Sequence, residues 1–282
     1  MKRFMNDQRG DAVIITAVIL LSLAAAVGGR LLLDYGESIG KEDDMIHISD
    51  VEDSFIRLRG SMYSLLDSED TRSTIVSRVT LGTSGNPYLT VARSSGKLSY
   101  DVGTDNFDIA FYRNVGGVEV LIDSASGSIT YESNNYYFDD QSLIYSGGGI
   151  VVDEYGFKAM SAPPSIKMER GFDSYGISMN IYGMSGYSWS ISGIDAIPLS
   201  ITMNAFSQTA LNMGGGETII VRISGEVRNA WSAYLRAYLS SLGLTEGAAD
   251  DFLITSYGDH QDIELKTMSF FVCNVGVMEV SI

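Results

Sequence analysis

From Ala12 to Gly29 the chain carries eighteen consecutive residues without a charge. As a helix this run spans about 27 Å, close to the hydrocarbon thickness of a bilayer. Leu31, Leu32 and Leu33 carry the stripe past Arg30, whose long stem lets its charged head reach an interface. The flanks are asymmetric. Lys2, Arg3 and Arg9 precede the run against only Asp7, while Asp34, Glu37, Glu42, Asp43 and Asp44 follow it against Arg30 and Lys41. Positive charge stays on the cytoplasmic side, so this pattern places the N-terminus in the cytoplasm and everything after about residue 34 outside.

Three fates of the run are compatible with these residues. It can be a secretory signal, cut after Ala24-Ala25-Ala26. It can be a plain N-terminal anchor that stays in the cell membrane as a single pass. It can also be a helix that is kept while the basic head in front of it is removed.

Arg9, Gly10, Asp11 and Ala12 carry the third alternative: a basic residue, a small residue, a tolerant position, then the apolar run. This arrangement resembles the type IV pilin superfamily, and the class III signal peptides of archaeal pilin-like proteins in particular. The resemblance implies a prepilin peptidase cutting between Gly10 and Asp11. Bacterial pilins usually have Glu at the fifth mature position; Ile15 stands there, and archaeal relatives often lack that Glu too. Further along, Gly127-Ser-Ile-Thr-Tyr-Glu-Ser, an aromatic cluster, Asp140-Gln-Ser-Leu-Ile-Tyr145, the Gly147–Gly149 run and Asn229-Ala-Trp231 look similar to uncharacterised pilin-like proteins of methanogens.

A second helical pattern follows a polar stretch, residues 34–44, that contains Gly36 and Gly40 and reads as a kinked continuation of the first helix. Ile48, Val51, Phe55, Leu58, Met62 and Leu65 recur at spacings of three and four, the mark of an amphipathic helix with one apolar seam. Asp53 and Arg57 lie one turn apart on its polar side. From Ser73 the rhythm becomes short strands separated by Gly- and Asn/Asp-rich turns, through Thr74–Leu81, Tyr88–Ala92, Lys97–Val102, Phe107–Arg113, Val118–Asp123 and Ser128–Ser133. Ser142–Tyr145, Gly149–Asp153, Ser165–Met168, Tyr175–Tyr182, Ser188–Ile191, Ile197–Ala205 and Glu217–Ser224 continue it. Val227, Trp231, Tyr234, Leu235, Tyr238, Leu239 and Leu242 form one late helical stripe with Gly243 at its C-terminal cap. Asp251–Tyr257, Gln261–Lys266 and Ser269–Ile282 close the chain.

The expected fold is therefore α+β. The resemblance implies that residues 1–10 are a leader and 11–33 a membrane or filament-core helix; 34–72 are expected as an amphipathic continuation, and 73–282 as a large, mainly antiparallel extracellular β domain with one late helix.

Chemistry is hard to find in these residues. The net charge of −16 argues against nucleic acid as a partner, and losing Lys2, Arg3, Arg9 and Asp7 would lower it to −18. The single cysteine, Cys273, rules out an intrachain disulfide and reads as a core residue. His47 and His260 read as surface histidines far apart in sequence, and the Cys and His clusters of zinc sites are missing. Gly183-Met-Ser185-Gly186 misses the nucleophile-elbow spacing, and the Gly147–Gly149 and Gly214–Gly216 runs lack the Lys-Ser/Thr of a phosphate loop. Asp101, Asp105, Asn106 and Asp108 supply hard oxygens at non-EF-hand spacing and read as a solvated acidic loop, as do Asp139, Asp140 and Glu154, and Asp250 and Asp251.

The expectation is a non-enzymatic surface protein without cofactor or metal. With the resemblance, it is a pilin-like subunit whose membrane and assembly helix presents Ala12, Val13, Ile14, Ile15, Val18, Ile19, Leu20, Leu21, Leu23 and Val27 to lipid, then to copies of itself or other pilin-like subunits. The alternative is an anchored or secreted binding protein that never polymerises.

Overall fold

The computed structural model describes residues 4–83, 94–171, 174–247 and 249–282, with side chains throughout except at 4–13 and 32–34. One helix, α1 (Phe4–Ser68), holds the first 65 of these residues. At 1.5 Å per residue it is about 97 Å long. The helix runs unbroken through residues 34–44, where the sequence suggests a kink, and Glu37 and Lys41 pair across one turn at 2.8 Å. Gly36 and Gly40 serve packing instead. Both are buried, and the ring of Tyr137 occupies the space a Cβ at Gly40 would need. The helix stops at Ser68, four residues before the expected 72, because Glu69 turns left-handed (φ 52°) and Asp70 Oδ1 accepts the Arg72 N–H at 2.8 Å.

Sixteen strands and a second helix follow: β1 (Thr74–Thr80), β2 (Ser95–Asp101), β3 (Asp108–Val115), β4 (Val118–Ser126), β5 (Ser128–Asn134), β6 (Gln141–Ser146), β7 (Gly149–Glu154), β8 (Phe157–Ala162), β9 (Ser165–Arg170), β10 (Tyr175–Ser185), β11 (Trp189–Gly193), β12 (Ala196–Asn212), β13 (Glu217–Ser224), α2 (Arg228–Ser241), β14 (Phe252–Ser256), β15 (His260–Leu265) and β16 (Met268–Ser281). They build three sheets in the orders β1-β12-β16-β10-β9, β11-β2-β5-β6-β7-β8 and β14-β15-β13-β3-β4. Every described pairing of named strands is antiparallel except β10 with β16.

The first sheet is the spine, because its two faces serve two cores. On β10, Ile177, Met179 and Ile181 face the core shared with β3, β13, β15 and α2, while Tyr182 and Met184 face the core shared with α1 and the second sheet. Strand β16 divides in the same way, with Phe271, Cys273 and Val275 on one side and Met278 and Val280 on the other. Strand β12 changes parity at a bulge between Met203 and Ala205, so that Leu199, Ile201 and Met203 join one core and Leu211 lies against the other. A strand covered on both faces reads as a continuous apolar run, which is what Ser269–Ile282 shows.

Helix α2 buries Ala230, Trp231, Ser232, Leu235 and Leu239 and packs on β8, β13 and β15. Trp231 stacks on Phe107 at 5.2 Å between centroids, and its indole N–H donates to Ser146 Oγ at 3.2 Å. Gly243 takes φ 81° beyond the last turn, the conformation its capping position requires, and Leu244 N–H closes on Leu239 O at 3.2 Å.

Strand β8 has no counterpart among the expected strands. It lies at a sheet edge and none of its residues is fully buried; Met160 and Ala162 are only partly buried against the two cores, so its alternation is weak in the sequence. The expected strand Tyr88–Ala92 lies outside the described residues.

Candidate functional site

The first half of α1 presents a continuous apolar surface. Ile14, Ile15, Val18, Ile19, Leu20, Leu21, Leu23, Val27 and Leu31 are all more than half exposed, with Leu21 at 75 %. An eighteen-residue window of this stretch has mean hydropathy 2.1 and no buried share, enough by length and composition to cross a membrane. Arg9, Gly10, Asp11, Ala12 and Val13 lie within α1, but their side chains are outside the described set. Monomeric soluble proteins rarely leave an apolar surface of this size facing water; a membrane span, a protein interface or a signal sequence presents one.

The second half of α1 is the joint between this surface and the body. Val51, Phe55, Leu58 and Met62 are fully buried and Leu65 nearly so, against β1 and β12 with further contacts to β6 and β7. Ile48, the first residue of the expected seam, is only half-buried. Polar residues extend the joint. Arg59 Nε donates to the Gly148 carbonyl at 2.9 Å, and its Nη2 donates to the carbonyl of Pro163. Arg57 Nη2 donates to Ser54 Oγ at 2.9 Å rather than reaching toward the body.

Two polar residues of the joint were not expected. Asp44 is buried; its Oδ2 accepts the N–H groups of Tyr137 (2.8 Å) and Phe138 (3.1 Å), and its Oδ1 accepts the Ser94 hydroxyl. His47, whose sequence context reads as surface, is only 2 % exposed. Tyr131 Oη donates its proton to the Leu81 carbonyl at 2.9 Å, so at the 2.8 Å contact with His47 it is the acceptor and His47 Nε2–H donates to Tyr131 Oη. A signal for both existed: running the three-and-four spacing back from Val51 lands on His47 and Asp44. Their polarity hid a seam that continues through them.

Burial depresses the His47 pKa below the ordinary histidine range, with Leu81, Asp50 and Asp44 acting in the opposite sense. A folded-state pKa below the unfolded one means the unfolded chain binds the proton more readily. Stability from neutral His47 is then present above about pH 6.5 and is lost as pH falls through that value toward the folded pKa. Thermal unfolding between pH 8 and pH 5 should show a downward step that His47→Gln lacks; equal slopes in the two proteins would refute it.

On the opposite face of the second sheet, an open groove of about 660 Å³ is bordered by Lys97, Ser99, Asp101, Glu132, Asp153 and Lys158, among others. Its cations are spent on neighbours: Lys97 on Glu132 at 3.0 Å, and Lys158 on Glu226 at 2.7 Å. Asp101 Oδ1 accepts the Gly103 N–H and the Ser188 hydroxyl, each at 3.1 Å. Among the described residues no three of His, Cys, Asp and Glu are placed to hold a metal ion. The other histidine, His260, stacks on Tyr257 at 4.6 Å and bonds Asp259 through Nδ1 at 2.7 Å. Cys273 is buried, and burial pushes its thiol pKa well above the ordinary value. Comparison with protein-family models, with curated proteins and with solved structures finds no match to this chain.

Proposed function

We propose that this protein is a pilin-like subunit, held in the membrane by the first half of α1 and assembled through that same surface into a cell-surface filament. One observation carries the reading: a single continuous helix is bare and apolar over residues 14–31 and locked into a β body over residues 44–66. A plain anchor has no need for rigid continuity with its body, since a flexible linker serves as well. A subunit that packs side by side does need it, because the helix sets where each body sits. Prepilin peptidase cutting at Gly10–Asp11 would leave Asp11 at the new helix start, where a carboxylate offsets the positive end of the helix dipole. The body would face outward and supply adhesive or surface properties, with no catalysis assigned to it.

N-terminal sequencing of the protein from its native membrane tests this. The expected first residue is Asp11, and Gly10→Val should leave Met1 in place. A mature chain starting at Val27 would make it a secreted protein and overturn the reading. Sheared surface filaments should contain the protein; if it remains wholly with the cell membrane, it is an anchored module. The broad groove on the second sheet favours that second reading, since a binding surface needs no polymer.

A further inference from the structure

We propose that the body carries an aromatic collar at its membrane-proximal rim, seated in the lipid headgroup layer. This rests on reading residues 12–33 as a membrane span. Four rings form the collar: Tyr35, and on the body Tyr136, Tyr155 and Phe157, which are 69 %, 80 % and 76 % exposed. Single exposed aromatics are ordinary, but these gather in one band of α1 about 12 Å deep, between the levels of residues 35 and 43.

The level follows from the contacts. The loop holding Tyr136 is fastened to α1 by the Asp44 hydrogen bonds to Tyr137 and Phe138 and by the Tyr137 ring over Gly40. Tyr155 and Gly156 form the turn between β7 and β8, beside that loop, because Glu154 pairs with Gln141 in the sheet and Tyr155 interacts with Asp139. Strand β8 then runs up α1: Ser161 donates to Glu52, and two residues later the Pro163 carbonyl receives Arg59. Phe157 precedes Ser161 by four residues, about 13 Å of strand, which places it near the level of residue 43.

Gly40 lies seven residues past Leu33, about 10 Å along the helix. The headgroup layer extends roughly 5–8 Å beyond the hydrocarbon; the reach of an aromatic side chain covers the remainder for Tyr136 at the level of Gly40, and brings Phe157, about 15 Å past Leu33, to the outer edge of that layer. Tyrosine and phenylalanine suit this zone because an apolar ring and, in tyrosine, a polar tip match the gradient there. Charge does not draw the rim to the membrane: Asp139, Asp140 and Glu154 surround the rings, Lys41 is paired with Glu37, and Lys158 with Glu226. The partner is therefore an electrically neutral lipid interface, and seating is insensitive to salt.

The test uses the full chain in phosphatidylcholine vesicles. Cys273 is fully buried, so a cysteine introduced at the surface is the site an environment-sensitive thiol dye labels. Dye is placed by Phe157→Cys, by Tyr136→Cys, by Leu21→Cys within the span, and by Tyr187→Cys. Tyr187 is 90 % exposed and lies at the other end of the second sheet, where its neighbour Ser188 bonds Asp101. Headgroup-level nitroxide lipids should quench positions 157 and 136 about threefold more than position 187, equally at low and high salt, while deep nitroxides quench position 21. Quenching at 157 and 136 no greater than at 187, with position 21 still lipid-buried, would overturn the collar and leave the span intact. A water-exposed dye at position 21 would overturn the span, and the collar with it.

Discussion

A chain that begins at residue 34 folds, melts within about 2 °C of the full-length body, and partitions into water rather than membrane. This is expected because α1 contributes to the core only from its second half. No residue between Ile14 and Leu31 is buried, whereas Gly36, Gly40, Asp44, His47 and the seam from Val51 onward all are. Among the described residues, removing 14–31 takes away no buried side chain. It does remove nine exposed aliphatic side chains, from Ile14 to Leu31. At roughly 1.5 kcal/mol or more each when moved out of water, they favour lipid or a protein partner by on the order of 10 kcal/mol. The effect on membrane partition is thus several orders of magnitude, and on body stability near zero. Sedimentation with vesicles and thermal unfolding of the truncated chain measure the two separately. Melting lowered by 10 °C or more would show that residues 14–33 support the body after all.

The same division decides how much of the fold and of the joint is legible in the sequence. Long runs of one character are legible: the uncharged stretch from Ala12, the alternating spacing from Val51 to Leu65, the stripe of α2 and its Gly243 cap. Each is a local pattern produced by one element burying one face. What is not legible depends on contacts between distant segments. Asp44 and His47 are polar residues on an apolar seam, made acceptable by partners 50 to 94 positions away in the chain, at Ser94, Tyr131, Tyr137 and Phe138. Gly36 and Gly40 look like helix breakers because the Tyr137 ring that fills the notch at Gly40 is remote. Strand β8 owes its existence to a neighbour on one side only, so its own residues need no strong pattern. The candidate groove draws on all the strands of the second sheet and on the loops beside them, and none of those segments announces it alone.

Phe55→Ala with Leu58→Ala separates α1 from the body or prevents the body from folding at 37 °C. Each side chain is fully buried, in the core shared by β1, β12, β16 and the second sheet. Emptying such positions costs about 3–5 kcal/mol for Phe and about 2–5 kcal/mol for Leu, from lost transfer energy and the cavity left behind. The two lie three residues apart on one face, so their cavities merge and the costs need not add simply. Even a discounted sum of about 5 kcal/mol rivals the whole stability of a typical domain, about 5–15 kcal/mol. Conservative exchanges separate packing from mere alteration: Leu58→Met keeps the volume and should cost under about 1.5 kcal/mol. Ile46 and Ile56 are about half exposed on the same helix, and truncating them to Ala should leave the melting temperature nearly unchanged. Urea unfolding of the four variants in the chain lacking residues 1–33 reads these differences without lipid. If the double variant melts like the parent, the seam does not hold the helix. The rigid link between the apolar surface and the body, on which subunit assembly depends, would then have to lie in the polar contacts of Asp44, His47 and Arg59 alone.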